Sequence, residues 1–358
     1  MEQAGDVRTI AASVPLLPPL PVVPGSNKRT RLFLGLAACA VLLAAATFAS
    51  LALGSKPIAL GTVLHALVHH DNSDDALIVR DLRLPRTVIG LAVGAALGLA
   101  GTLMQAVTRN PLADPGLLGV NMGASAAVVV GIAVLHLDPQ TAQVWPALLG
   151  AGIAALLVHT LGGRGPRGTA PIRLALAGAT VSAVLGALVS ALTLSDRSAF
   201  QDFRFWSVGS LAGRSLAVLG QTGGIMAVGA LIALPLAGSL NALALGEDTG
   251  RALGVRPGRV GALALVSVTL LCGGAVAAAG PIGFVGLAVP HAARQITGPD
   301  HRWLLPYTML LAPTLLLAAD VVGRLIAPPG EVDVGIVTAL VGAPVFILLA
   351  RRRRVRQA

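Results

Sequence analysis

Apolar stretches of about membrane-spanning length recur along the whole chain. A helix rises ~1.5 Å per residue and must cross a hydrocarbon layer of ~30 Å, so roughly 20 apolar residues make one span. Such stretches fall at 32–54, 86–108, 117–135, 144–162, 172–194, 216–238, 259–280, 282–297, 304–325 and 334–350, which predicts ten transmembrane helices. With 55% apolar and 12% charged residues among 358, little is left for a soluble domain. The expected fold class is an all-α polytopic membrane protein whose first partner is the lipid bilayer.

Charge sets the expected orientation. Lys28, Arg29 and Arg31 precede the first apolar stretch, and Arg351, Arg352, Arg353, Arg354 and Arg356 follow the last. An even number of spans puts both termini in the cytoplasm. In that topology 18 of the 26 lysines and arginines are cytoplasmic and 8 are outside, in line with the positive-inside rule. Residues 1–31 read as a flexible, proline-rich cytoplasmic tail, 32–350 as the membrane domain and 351–358 as a basic cytoplasmic tail. The net charge of +10 therefore reflects topology. With 3% aromatics and no basic stripe interleaved with them, nucleic acid is not an expected partner.

Local features point to packing more than to chemistry. Gly90, Gly94 and Gly98 form a four-residue stripe on the second predicted helix, a smooth face for close approach of another helix. Pro85 suits a first helical turn, and Pro111 and Pro115 force a turn after it. Cys39 and Cys272 lie in separate apolar runs and suggest no disulfide framework. Residues 57–81, with His65, His69, His70, Asp71, Asp74 and Asp75, read as a solvated extracytoplasmic loop, not as a metal site. Gln105, Asn121, His159, Gln221 and His291 are the polar residues expected inside the membrane, with structural roles; for His291 that role is a helix–helix hydrogen bond.

The chain's lysines, Lys28 and Lys56, stand in no G-x-x-x-x-G-K-[ST] frame, and no nucleophile–base grouping stands out. The chain is therefore not expected to be an enzyme or to carry a cofactor or metal. The longest polar interruption, 241–259, contains Leu245, Gly246, Glu247, Asp248, Arg251, Leu253 and Gly254. It fits two short helices turned by glycine, able to enter a groove on a partner, and equally a solvated connector.

Eight ordered motifs resemble the FecCD-type permeases of ATP-binding-cassette (ABC) importers for iron-siderophores, haem and cobalamin. They are RLPR at 83, GxxxQxxxRNPLADPGLLG from 101, WSVGSL at 206, LGEDTGRALG at 245, GPIGFVGLAVPH at 280, GPDHRWLLP at 298, AD at 319 with Arg324, and GIVTALVGAPVF at 335. The resemblance covers about residues 32–350. It implies the ten-helix type II importer permease fold with an inverted repeat. It also implies a homo- or heterodimer with a second permease subunit, two cytoplasmic ATPase subunits and an extracytoplasmic siderophore-binding protein. On the same ground, Arg83, Arg86 and Arg324 are expected to dock the binding protein through partly exposed pairs with carboxylates. Residues 245–254, within a coupling segment at 239–258, are expected to dock the ATPase. Asn110 and Leu112 are expected at the cytoplasmic gate.

Two departures from the family pattern stand out. Pro171 and Ile172 replace the small hydroxyl residues of a second constriction, and Asp333 stands where proline is usual, with its carboxylate expected to cap the last helix. The resemblance implies import of a ferric-siderophore into a bacterial cytoplasm, with cobalamin or haem as alternative cargo. An ion-gradient-driven carrier is the rival of another class. Against it, Asp114, Glu247, Asp248, Asp300, Asp320, Glu331 and Asp333 are expected at segment ends or in loops instead of at mid-membrane.

Overall fold

The computed structural model describes residues 26–69, 73–137, 139–163, 170–328 and 330–357. Among them there is no strand. The helices are α1 (Ser26–Ala52), α2 (Leu60–Val68), α3 (Asp74–Leu77), α4 (Leu84–Thr108), α5 (Val120–Ala133), α6 (Pro139–Gly163), α7 (Ala170–Ser195) and α8 (Arg197–Val208). They continue with α9 (Leu216–Ala233), α10 (Ala237–Ala244), α11 (Glu247–Ala252), α12 (Pro257–Ala279), α13 (Val285–Thr297), α14 (His301–Ile326) and α15 (Val334–Gln357).

The ten predicted segments fall on α1, α4, α5, α6, α7, α9, α12, α13, α14 and α15, the sixth of them running on into α10. Length and composition make seven described helices able to cross a membrane, and α5 and the start of α15 are shorter apolar helices. The sides of α1, α6 and α7 carry exposed leucines, valines and isoleucines, such as Leu34, Leu149, Leu156 and Val184, as expected of surfaces meeting lipid. The helical backbone of α15 runs on through Gln357, and α1 begins at Ser26, inside the stretch expected as a tail.

At the centre lies α4, packed by α9, α12, α13 and α14. The glycine stripe explains why. A Cβ on Gly94 would stand 2.4 Å from Pro313 Cα, one on Gly98 2.7 Å from the Thr308 carbonyl oxygen, and one on Gly90 2.7 Å from the Leu317 side chain. All three contacts fall on α14, so the stripe is the seam between α4 and α14. On another face, Gly101 meets Gly286 of α13, where a Cβ would be 1.8 Å from the carbonyl oxygen.

One segment differs from its expected form. Residues 57–81 are mostly helical: α2, α3 and a π-helical turn at Ile78–Arg83 fold over the end of α1, around a small core of Leu51, Ile58, Val63, Ala66, Ala76 and Val79. His65 stacks on His69 with ring centroids 4.5 Å apart; His70 and Asp71 lie outside the described residues. The connector after α7 forms α8, capped by Asp196, whose carboxylate accepts from the backbone N–H of Ser198 and Ala199.

Candidate functional site

Two polar clusters occupy opposite ends of the α4–α14 pair. At one end, Arg86 lies in the first turn of α4, and Asp320 and Arg324 lie in the last two turns of α14. Arg86 donates from Nη2 to Asp320 Oδ1 at 2.7 Å and from Nη1 to Glu331 Oε2 at 2.7 Å. Arg324 sits 3.0 Å from the other Asp320 oxygen and also donates to the carbonyls of Ser50 and Leu53. Arg83 donates to the carbonyls of Leu51, Ala52 and Lys56, satisfying acceptors at the C-terminal end of α1 and just beyond it.

The structure thus brings the three predicted docking arginines together, but not in partly exposed form: Arg83, Arg86 and Arg324 are 6%, 8% and 5% exposed. They border a cavity of about 390 Å³ with Lys56, Ala212 and Glu331. Asp320 is fully buried a turn and a half inside α14, and it is the anion that organises the cluster. It stands deeper in its helix than expected. The sequence signal for it is an acid inside an apolar run with arginine four residues on.

At the other end, α4 terminates in Arg109, which adopts a left-handed conformation at φ 50°. The Asn110 side-chain oxygen then accepts from the backbone N–H of Leu112 at 3.0 Å, and Asp114 accepts from Gly116. The predicted gate pair is therefore one tight Asx turn. Next to it lie α10 and α11, hinged at Gly246 (φ 114°) and closed at Gly254 (φ 81°). Glu247 is 3.5 Å from Arg109 and 3.1 Å from Arg251, which also reaches Asp248 at 2.7 Å. Leu245 and Leu253 point out of this small scaffold, 69% and 62% exposed. On the far side, Asn241 donates to Asp300 at 2.6 Å and accepts from the His301 backbone N–H. The segment is thereby tied both to the end of α4 and to the start of α14.

Between the two ends, three of the motifs converge. Ser210 N–H donates to the Ala279 carbonyl and Gly335 N–H to that of Gly209. A Cβ on Gly335 would lie 1.9 Å from the Val208 oxygen, and one on Gly280 2.4 Å from that of Trp206. Gln105 makes the main polar link across helices, accepting from Arg294 at 2.6 Å and donating to the Leu287 carbonyl. His291 reaches Gln295 on its own helix. Asp333 stands at the start of α15 as expected, but its backbone carbonyl, accepting from Ile336 and Val337, forms the bonds there. Cys39 and Cys272 are both free and buried.

The described residues thus form a helical membrane bundle with a glycine-hinged helical pair at one end and an arginine–aspartate cluster at the other. The chain belongs to the FecCD transport family, whose model matches residues 42–352, and it is a permease subunit of an ABC importer. It is 47% identical to the ferric enterobactin transport system permease protein FepD of Escherichia coli (strain K12), over 87% of this chain and 93% of that one. It is 38% identical to the hemin transport system permease protein HmuU of Yersinia pestis, over 85% and 92% of the two chains. A solved structure described as a metal-chelate type ABC transporter in an inward-facing conformation superimposes with a TM-score of 0.77 at 30% identity, covering 90% of this chain and 99% of that one.

Proposed function

We propose that this permease carries a ferric-siderophore across the cytoplasmic membrane of a bacterium, as part of a complex with a second permease, two ATPase subunits and an extracytoplasmic binding protein. The observation that carries the choice of cargo is the 47% identity, across nearly the whole of both chains, to a permease named for ferric enterobactin. Both termini lie in the cytoplasm, which puts residues 245–254 on the ATPase side and the Arg83, Arg86 and Arg324 cluster outside.

Two exposed leucines on a charged, glycine-hinged helical pair suit insertion into a groove of the ATPase. The arginine cluster borders the outer cavity beside Lys56, whose side chain is 58% exposed, and this basic edge suits a carboxylate-bearing docking protein. Asn110 and Leu112 form the cytoplasmic constriction. ATP is hydrolysed by the partners, and docking at one end and ATP turnover at the other are reciprocally linked.

The test is ATP hydrolysis and uptake by the complex reconstituted in lipid. Binding protein loaded with ferric-siderophore is expected to stimulate ATP turnover, and labelled siderophore iron to enter vesicles ahead of haem or cobalamin. Faster uptake of haem or cobalamin would reassign the cargo. Uptake that persists without any ATPase and collapses with an ionophore would overturn the importer reading.

A further inference from the structure

A cavity of about 660 Å³ lies beside the α10–α11 pair, and it is basic at its rim. Arg109, Arg173, Arg251 and His159 border it; Arg109 and Arg251 are paired with Glu247, and Arg251 also with Asp248. Arg173 is held there because its Nε donates to the Gly162 carbonyl at 3.2 Å, where the end of α6 meets the start of α7.

This cavity does not end at the polar layer. His159, Ala262 and Leu265 also line a second, apolar cavity of about 220 Å³, which continues between α6 and α12 past Leu156, Val266 and Leu270. Along α6 it runs from His159 back to Gly152, and along α12 from Ala262 to Leu270, about 10–12 Å at the helical rise. Gly152 and Gly261 have open space where a side chain would be, which deepens the groove. Its rim is apolar and outward-facing: Leu156 is 63% exposed and Val266 50%.

The geometry points to a binding site for one anionic glycerophospholipid, its phosphate held at His159 and Arg173 and an acyl chain lying in the α6–α12 groove. A cationic pocket continuous with an apolar furrow at membrane depth matches a molecule that is anionic at one end and hydrocarbon at the other. A free anion would use only the first part and a neutral lipid only the second.

Native mass spectrometry of the purified permease complex, offered phosphatidylglycerol, phosphatidylcholine or inorganic phosphate, tests this. The wild-type chain is expected to retain phosphatidylglycerol at least tenfold over phosphatidylcholine. Arg173→Gln should abolish that preference, and Leu265→Trp, which fills the furrow, should reduce retention of the lipid. Equal retention of the two lipids by the wild-type chain would overturn the proposal, whatever the variants do. So would displacement of phosphatidylglycerol by millimolar phosphate together with indifference to Leu265→Trp, which would make the ligand a free anion. Disulfide cross-linking of Leu156→Cys to a second permease chain would also overturn it, by assigning the groove to the subunit interface.

Discussion

Arg86 and Asp320, 234 residues apart in sequence, hold each other at 2.7 Å and fasten the start of α4 to the last turns of α14. Neither charge could be buried there alone. Asp320 also carries Arg324, and Arg86 also carries Glu331, so four charges form one connected unit.

Replacing Asp320 by Asn should therefore be severe. It leaves the arginines of a buried cluster without their shared counter-ion, and removing one partner of a buried pair costs about 3–5 kcal/mol. Thermal unfolding in detergent, followed by aggregation or by tryptophan emission, should show a large drop. Glu331→Gln, on a side chain 37% exposed, should cost under about 1 kcal/mol.

The α4–α14 seam makes a second prediction. Gly94→Ala would press a methyl group to 2.4 Å from the backbone of Pro313, so the helices must separate, at about 1–3 kcal/mol. Gly61→Ala, in α2 where a Cβ meets nothing within 4 Å, should be neutral to slightly stabilising. A matched pair of melting curves checks both.

Leu245→Asp and Leu253→Asp alter side chains that are largely exposed, so stability should change by less than about 0.5 kcal/mol. Co-purification of the ATPase should nevertheless fall at least tenfold. Unchanged co-purification would move the ATPase contact away from this pair.

Asp196 supplies a pH dependence. The Ser198 hydroxyl, with the backbone N–H groups of Ala199 and Ser198, holds its carboxyl below the ordinary value. A depressed folded-state pKa means that the cap's contribution is fully present above the unfolded value of ~3.9 and fades as pH falls through the folded one. Asp196→Asn should remove that acid-side loss while keeping an acceptor for α8, as read by melting temperature between pH 6 and pH 3.

The positions of the seven long apolar helices and of the glycine seam were legible in the sequence, because hydrocarbon thickness fixes span length and close approach needs small residues. The hinge of the α10–α11 pair was legible for a similar reason: Gly246 and Gly254 occupy conformations that side chains disfavour. The helices within 57–81 and 195–215 were not. Their polar residues resemble solvated loop until the partner surface is known, and α2 and α3 are covered only because the end of α1 lies against them. The buried state of Arg83, Arg86 and Arg324 was hidden as well, since it depends on Asp320 and on carbonyls at the end of α1, far away in the chain.

The seam between α4 and α14 also fixes a distance. Gly90, Gly94 and Gly98 leave no slack between the two helices, and each spans about 35 Å between the arginine–aspartate cluster and the ends that hold Glu247 and Asn241. The two helices are thus joined as one body, so the contacts at either end, Arg86 to Asp320 and Arg109 to Glu247, are held at a fixed separation along the same pair.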